Sequence, residues 1–231
     1  MVRDTLGTDD PYREAKRRDN DRVIALLPAL RERVESSSDP LLAAVRLAAA
    51  GNAIDLAVRS TVDLDRAIEK GLEESEGMVD YPLLKKRLAR GGDVLYLGDN
   101  AGEIVFDRLV VEQLGGLGAR VTFAVRGRPI LNDATEDNAA YVGMDDVAEV
   151  ISSGSDGPGT TLHGCRPEFL DAFRRASLIL SKGQGNFEGL SDEPAPLFFL
   201  LMVKCPVVAR ELDAPVGEVL LRAGRGWEAF E

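Results

Sequence analysis

The sequence has 231 residues, enough for one large domain or for one domain with a smaller appendage. Hydrophobic residues make up 45% and charged residues 29%, which is typical of a globular chain with a substantial core. The net charge of -11, with no basic cluster to offset it, argues against nucleic acid or an anionic membrane as a partner.

Helical patterns dominate the first ninety residues. Two long stretches begin with aspartate followed by proline, Asp10-Pro11 and Asp39-Pro40. Aspartate can cap a helix N-terminus and proline suits the first helical position, so each pair predicts the start of a helix. Shorter helices are expected near residues 63–74 and 81–89. We therefore predict an N-terminal helical subdomain over residues 1–90.

In the rest of the chain, short apolar runs alternate with helical segments. Four runs end at or near glycine: DVLYLG (93–98), RVTFAVRG (120–127), AEVISSG (148–154) and SLILSKG (177–183). Helices are expected over 103–114 and 167–176, and a fifth apolar run over 197–208 combines strand and helix around Pro206. Apolar runs without alternation, separated by helices, indicate a parallel sheet covered on both faces. We predict a three-layer α/β/α domain with a mainly parallel, Rossmann-like sheet over residues 91–231.

The sequence also predicts the cellular compartment. Cys165 and Cys205 form no CxxC pair, and His163 is the single histidine, so a site built on several histidines is excluded. The N-terminal residues lack the apolar core of a signal peptide. The longest apolar run, 195–203, is about half as long as a membrane span. We expect a cytoplasmic protein.

Polar side chains follow all four predicted strands. In a parallel sheet, the carboxyl ends of the strands and the N-termini of helices meet at one edge, where ligands bind. The side chains that this edge would collect are Asp99, Asn100 and Glu103, then Arg126, Asn132 and Asp133, then the glycine- and serine-rich segment 153–161, and finally Lys182 and Asn186.

Each of these groups has a simpler structural explanation when it is considered alone. Asp99 and Asn100 could form an N-cap and turn, Asp133 could cap the next helix, and Lys182 could be a solvated loop lysine. Two Asn/Asp pairs at consecutive strand ends, however, bring three or four oxygen ligands to one point, which suits Mg²⁺ or Mn²⁺ and not zinc. Arg126 and Lys182 would then face an anion beside the metal, as phosphoryl chemistry requires.

Nucleotide-binding motifs fit the sequence less well. In GDNAG, Asp99 and Asn100 occupy positions where a dinucleotide site needs glycine. After the second strand, where such a site places an acid for the ribose, the sequence has Arg126 and Arg128. No GxxxxGK[ST] motif occurs.

Asn52 and Asp55 are the polar residues of an otherwise apolar helix. They are three positions apart and so share one helix face. Burying an unpaired amide or carboxylate is costly. The pair is therefore expected either to satisfy a neighbouring helix end or to line the cleft.

Four motifs, in this order along the chain, resemble the family catalogued as domain of unknown function 89. They are GNAIDLAV (51–58), YLGDNAGEIVFDRLVVE (96–112), VRGRPILNDAT (125–135) and SKGQGNFEGL (181–190). The segment DPYREAKRRDN (10–20) is also similar to the family, and the resemblance extends to about residue 210. Studied members are metal-dependent damage-control phosphatases. The compact archaeal and bacterial branch, similar to the phosphatase domain fused to some pantothenate kinases, gives the best match.

The resemblance implies a role for individual residues. A metal would be held by Asp99, Asn100 and Asp133, and Lys182 would contact the phosphate of the substrate. The resemblance also implies that the helix with Asn52 and Asp55 lines the cleft. The predicted catalytic residues are therefore Asp99, Asn100, Asp133 and Lys182. Together with the polar side chains that follow the strands, the predicted substrate-binding residues are Asn52, Asp55, Glu103, Arg126, Lys182 and Asn186.

The expected reaction is hydrolysis of small phosphometabolites, such as sugar phosphates or phosphopantetheine-like compounds. The expected cofactor is a divalent metal, Mn²⁺ or Mg²⁺, with cobalt and nickel as further candidates. A non-catalytic binder of phosphorylated metabolites in the same pocket is the alternative. Branch members usually carry an N-terminal helical segment with a CxxC motif, which this sequence lacks. That segment is expected either to be missing or to lie upstream.

Overall fold

The computed structural model describes residues 7–57, 77–225 and 227, together with residues 69 and 72. The helix predicted over residues 63–74 therefore lies almost entirely outside the described residues. The helices are α1 (Arg13–Glu35), α2 (Pro40–Ala57), α3 (Tyr81–Leu88), α4 (Glu103–Gly116), α5 (Glu136–Tyr141), α6 (Pro167–Arg175), α7 (Gln184–Leu190) and α8 (Pro206–Leu212). The strands are β1 (Asp93–Leu97), β2 (Arg120–Val125), β3 (Glu149–Ser152), β4 (Leu178–Lys182), β5 (Leu197–Met202) and β6 (Val219–Ala223).

The strands form a single six-stranded sheet, which confirms the predicted α/β class. Its order is β3-β2-β1-β4-β5-β6, with parallel pairing from β3 to β5 and antiparallel pairing between β5 and β6. The chain runs outward from β1 to β3 and then returns to the other side of β1 with β4. This reversal creates a switch point between β1 and β4, where ligands bind in open α/β sheets.

The sheet is covered on both faces, as the unbroken apolar runs predict. Every residue of β4 and β5 is buried. Tyr96 belongs to the hydrophobic cluster on one face of the sheet, and its neighbours Leu95 and Leu97 belong to the cluster on the other. Side chains of successive strand residues point to opposite faces, so a strand buried on both sides has no polar alternation.

The N-terminal helices pack directly on the helical layer over this sheet. Helices α1 and α2 both contact α4, and all three contribute to one hydrophobic cluster. Gly51 of α2 allows the close approach, since a Cβ atom there would lie 3.2 Å from Cδ2 of Phe106. Arg31 of α1 forms a bidentate pair with Glu112 of α4, at 2.6 and 2.9 Å. The boundary between two domains at residue 90 stays a prediction.

The two predicted helix starts have different outcomes. Asp39 is confirmed as a cap of α2, because its Oδ1 atom accepts a hydrogen bond from the Leu42 N–H at 3.2 Å. The predicted start at Asp10 was wrong by two residues, because the N-cap position is Tyr12. The Asp10 carboxylate accepts from the Tyr12 N–H at 3.0 Å and pairs with Lys16 at 2.6 Å, and the regular helix begins only at Arg13.

Two elements near the C-terminus were not predicted from the sequence. Helix α7 contains two glycines, Gly185 and Gly189, which lower its helix propensity. Strand β6 is only half-buried and pairs with a single neighbour, so its sequence lacks the long apolar run of the central strands. The predicted strand and helix around Pro206 are confirmed as β5 and α8. Within the described part of the chain, no helix has the length and apolar character needed to cross a membrane.

Candidate functional site

The loop after β1 holds Asp99 and Asn100 without using their side chains as caps. The residue that precedes α4 is Gly102, with φ of 79° and no side-chain capping bond. Its N–H donates instead to Oδ1 of Asn20 in α1, at 2.6 Å. The simpler explanation of Asp99 and Asn100 as an N-cap is therefore wrong, because neither side chain caps α4.

The loop after β2 lies directly beside this first loop. Asn100 and Asp133 form an antiparallel β-bridge. The N–H of Ala134 donates to the carbonyl of Asp99 at 2.8 Å. The next helix, α5, is capped by Thr135 in a capping box, so Asp133 does not cap it. The backbone thus brings the two Asn/Asp pairs together, as the positions of the strand ends predict.

Arg126 connects three of the loops at this edge of the sheet. Its Nε atom donates to Oδ2 of Asp133 at 2.6 Å, its Nη1 atom to Thr160 at 2.6 Å and its Nη2 atom to Oδ1 of Asn186 at 2.9 Å. The Nη2 atom also lies 3.8 Å from Oδ1 of Asp99. Arg126 therefore fixes the carboxylates, while its predicted contact with an anion stays a prediction.

Lys182 lies deeper in the site than the sequence suggests. Its side chain is fully buried, and its Nζ atom lies 3.2 Å from Oε2 of Glu103 and 3.0 Å from Oδ1 of Asp107. The hydroxyl of Tyr96 donates to the same Asp107 oxygen at 2.7 Å. The alternative of a solvated loop lysine is wrong. Burial lowers the pKa of Lys182, but Asp107 and Glu103 raise that pKa by more, so the ammonium group keeps its charge.

The carboxylates at this edge repel each other in the absence of a further cation. Burial, followed by the charges of Glu103 and Asp133, raises the pKa of Asp99 to about 8, although Arg126 opposes the shift. Burial also raises the pKa of Asp107 to about 6, although Lys182 lowers it. Burial is the largest cause of both shifts, and the neighbouring carboxylates add to it.

We call these six ionisable residues the charge cluster, which comprises Asp99, Glu103, Asp107, Arg126, Asp133 and Lys182. When all four carboxylates are ionised, they exceed the two cations by two negative charges, which one divalent metal would balance. Oxygen ligands of this kind suit Mg²⁺ or Mn²⁺. Among the described residues, no three His, Cys, Asp or Glu side chains are grouped as a metal site. The predicted metal ligands Asp99, Asn100 and Asp133 comprise two carboxylates and one amide, so they do not form a group of that kind. This ligand set stays a prediction.

Gly183, which links β4 to α7, lets the backbone approach Asp99 closely. Its φ of 84° is in a region that other residues rarely adopt. A Cβ atom at this position would lie 2.0 Å from Oδ2 of Asp99. The glycine therefore leaves space for the Asp99 carboxylate at the point where the predicted metal would lie.

Several polar residues of the site were missed by the sequence analysis. Asp107 follows Glu103 by four positions on an apolar helix, a spacing that places both on one face and could have revealed it. Thr160 lies in the predicted segment 153–161 but was not singled out within it, and Asn20 gave no comparable signal. Asn52 and Asp55 belong to α2, but their side chains lie outside the part of the chain that the structure describes, so their place in the cleft stays a prediction.

Residues 1–220 match the sequence model of the family described as damage-control phosphatase ARMT1-like domain. The chain belongs to this family. The match spans the N-terminal helices and strands β1 to β5, including all loops that contribute to the charge cluster. It agrees with the predicted relationship to the family of domain of unknown function 89, since a similar solved structure carries that family name.

Two named relatives match most of the chain. The damage-control phosphatase PH1575 of Pyrococcus horikoshii is 36% identical over 218 residues, which cover 93% of this chain and 75% of the relative. A damage-control phosphatase of Archaeoglobus fulgidus is 35% identical over 225 residues, 96% of this chain and 78% of the relative.

The similarity extends to three-dimensional structure. The crystal structure of the family protein PH1575 from Pyrococcus horikoshii has a TM-score of 0.88 to this chain at 35% sequence identity. The match covers 97% of this chain and 79% of that one. Because both relatives are named damage-control phosphatases, a phosphatase role in damage control is supported for this chain.

Proposed function

We propose that this chain is a divalent-metal-dependent phosphatase that hydrolyses small phosphometabolites, such as sugar phosphates or phosphopantetheine-like compounds. The observation that carries the proposal is the excess of two negative charges in the charge cluster. This excess lies at the switch point of the sheet, where a ligand is expected. A divalent cation would balance it and would at the same time create a site for a phosphate group.

The metal would be held by Asp99, Asn100 and Asp133. These three residues are 6% to 9% exposed, whereas Lys182 and Asp107 of the same cluster are fully buried. An ion arriving from solvent can therefore reach the first three but not the last two. When bound, the metal supplies positive charge that stabilises a phosphoryl group in the transition state.

The protein's own residues prepare the site for a phosphoryl group. Arg126 holds Asp133 in one orientation and connects it to Thr160 in the glycine- and serine-rich segment 153–161. Lys182 adds a permanent positive charge beside the carboxylates of Glu103 and Asp107. We propose that this charge acts on the substrate phosphate. Because these groups are already ordered by hydrogen bonds, little reorganisation is needed during the reaction.

Turnover of p-nitrophenyl phosphate with and without Mn²⁺ tests this function. The expected result is hydrolysis that depends on added metal and is lost with a chelator. A panel of sugar phosphates and phosphopantetheine-like compounds would then identify the substrate class. Tight binding of a phosphorylated metabolite, measured by calorimetry, without any metal-dependent turnover would instead support the non-catalytic binder.

Gly183→Ala is expected to weaken both the fold and the metal site. The backbone conformation is strained for alanine, which costs about 1–3 kcal/mol, and the new Cβ would displace the Asp99 carboxylate. We expect a lower unfolding midpoint and a loss of Mn²⁺ affinity of roughly tenfold or more, since residues that orient ligands have effects of this size.

Gly157→Ala is the matched control for this substitution. Gly157 lies in the neighbouring segment 153–161, and a Cβ atom there would meet nothing within 4 Å. It should retain wild-type stability and Mn²⁺ affinity. Equal behaviour of the two variants in calorimetry and thermal unfolding would contradict the role assigned to Gly183.

A further inference from the structure

The side chain of Asn100 presents two ends of nearly the same shape, and only one of them can bind a metal. The Oδ1 atom can coordinate a cation, but the Nδ2 group is a donor. In the structure, Nδ2 lies 2.8 Å from Oε1 of Glu103 and 3.3 Å from Oδ2 of Asp99. The Oδ1 atom is therefore on the opposite side of the amide, directed away from Glu103.

Glu103 imposes this orientation through its chemistry. A carboxylate only accepts hydrogen bonds, so it selects the NH₂ end of the amide of Asn100. The Glu103 side chain is buried, and its second oxygen lies 3.2 Å from the Nζ atom of Lys182. One oxygen thus faces an amide and the other faces a cation, which leaves the carboxylate little freedom to rotate.

A row of three further buried side chains, Lys182, Asp107 and Tyr96, is linked to Glu103 by polar contacts. Lys182 is held on its other side by Asp107, which in turn accepts from the hydroxyl of Tyr96. Glu103 and Asp107 are one turn apart on α4 and therefore project from the same face of the helix. Burying such charges costs free energy, so a row of this kind fits a specific positioning task better than a contribution to stability.

We infer that Glu103 is a positioning residue that turns the Oδ1 atom of Asn100 toward the metal, and that Lys182 and Asp107 keep Glu103 in place. The inference rests on the proposed function, since it presumes a metal at Asp99, Asn100 and Asp133. It assigns Glu103 a task different from the contact with substrate that the sequence analysis predicts.

Glu103→Gln tests the inference because Lys182 can only donate hydrogen bonds. The new side chain must turn its Oε1 atom toward Lys182, which leaves its NH₂ group facing Asn100. The amide of Asn100 must then rotate to present Oδ1 to this donor, and its Nδ2 group is left on the side of the metal. Isothermal calorimetry with Mn²⁺ alone should show a loss of affinity of about tenfold to a hundredfold.

Two further variants separate orientation from charge. Asp107→Asn also removes one buried negative charge, but it keeps an oxygen that accepts from Lys182, so Glu103 stays in place and the variant reports the effect of charge alone. Its loss of Mn²⁺ affinity should be clearly smaller than the loss in Glu103→Gln. The double variant Glu103→Gln/Asn100→Asp should recover most of the lost affinity, because a carboxylate has an oxygen on each side. Equal losses in Glu103→Gln and Asp107→Asn would indicate a charge effect and overturn the inference.

A spectroscopic measurement on the metal-free wild type keeps the inference testable even if Glu103→Gln does not fold. The side-chain NH₂ signals of Asn100 can be assigned by their loss in Asn100→Asp. One of the two protons should exchange slowly with solvent, because it is bonded to buried Glu103. Rapid exchange of both protons would overturn the inference.

The wild-type protein separates failure of this inference from failure of the proposed function. A chain that binds no Mn²⁺ and hydrolyses no phosphomonoester would overturn the proposed function and, with it, the inference. Normal wild-type binding and turnover combined with unchanged Mn²⁺ affinity in Glu103→Gln would overturn the inference alone.

Discussion

Asp99→Asn is expected to abolish phosphatase activity and to stabilise the metal-free protein. The Asp99 carboxylate lies among other carboxylates, and burial together with Glu103 and Asp133 raises its pKa to about 8. A neutral amide of the same size removes that repulsion. It also removes one charged oxygen from the proposed metal site, so turnover should fall by about two orders of magnitude or more.

The stability gain of Asp99→Asn should depend on pH, and the sign follows from the shifted pKa. In the unfolded chain an aspartate has a pKa near 3.9, whereas Asp99 in the folded protein has a pKa of about 8. Between these values the folded state binds more protons at Asp99, so the contribution of this group to the stability of metal-free wild type is fully present below the lower pKa and is lost as pH rises through about 8. Asp99→Asn should lack this loss.

Urea unfolding in the presence of a chelator, repeated across this pH range, checks the prediction. Asp171→Asn is a suitable control, because that carboxylate is 65% exposed on α6. It should follow the wild-type curve. Parallel pH curves for wild type and Asp99→Asn would contradict the charge excess that we assign to the cluster.

The meeting of Asp99, Asn100 and Asp133 could be predicted because it depends on local rules. Asp99 and Asn100 follow β1, and Asp133 lies in the loop after β2. The carboxyl ends of parallel strands lie at one edge of a sheet. Only the order of the strands was needed to bring the loops together, and the structure does so through the bridge between Asn100 and Asp133. The alternative roles as helix caps could be rejected only from the backbone geometry.

The surroundings of Lys182 and Arg126 could not be predicted in the same way. Two glycines near Lys182 suggest an exposed loop, but the structure buries its side chain against Glu103 and Asp107 of α4. Arg126 bonds to Thr160 because segment 153–161 lies against α7, where a Cβ on Gly159 would be 2.3 Å from the carbonyl of Gly185. Such contacts between distant segments leave no periodic signal in the sequence.

The largest loss of folding stability is expected for Lys182→Met. Methionine has nearly the same length as lysine but no charge, so Glu103 and Asp107 would be left buried without their cation. Breaking a buried ion pair by removal of one partner costs about 3–5 kcal/mol. The urea midpoint of the metal-free protein should fall accordingly, and activity must be compared at temperatures where the variant is still folded.

Two controls test whether the loss from Lys182→Met arises from unpaired buried charge. Lys85→Met removes the same functional group from an ion pair with Asp39, but this lysine is 55% exposed, so a loss below about 1 kcal/mol is expected. Adding Asp107→Asn to Lys182→Met removes one of the stranded carboxylates and retains an acceptor for Tyr96, so stability should partly recover. If Lys182→Met unfolds at the wild-type urea concentration yet loses activity, Lys182 acts mainly on substrate, and its burial between two carboxylates contributes little to folding.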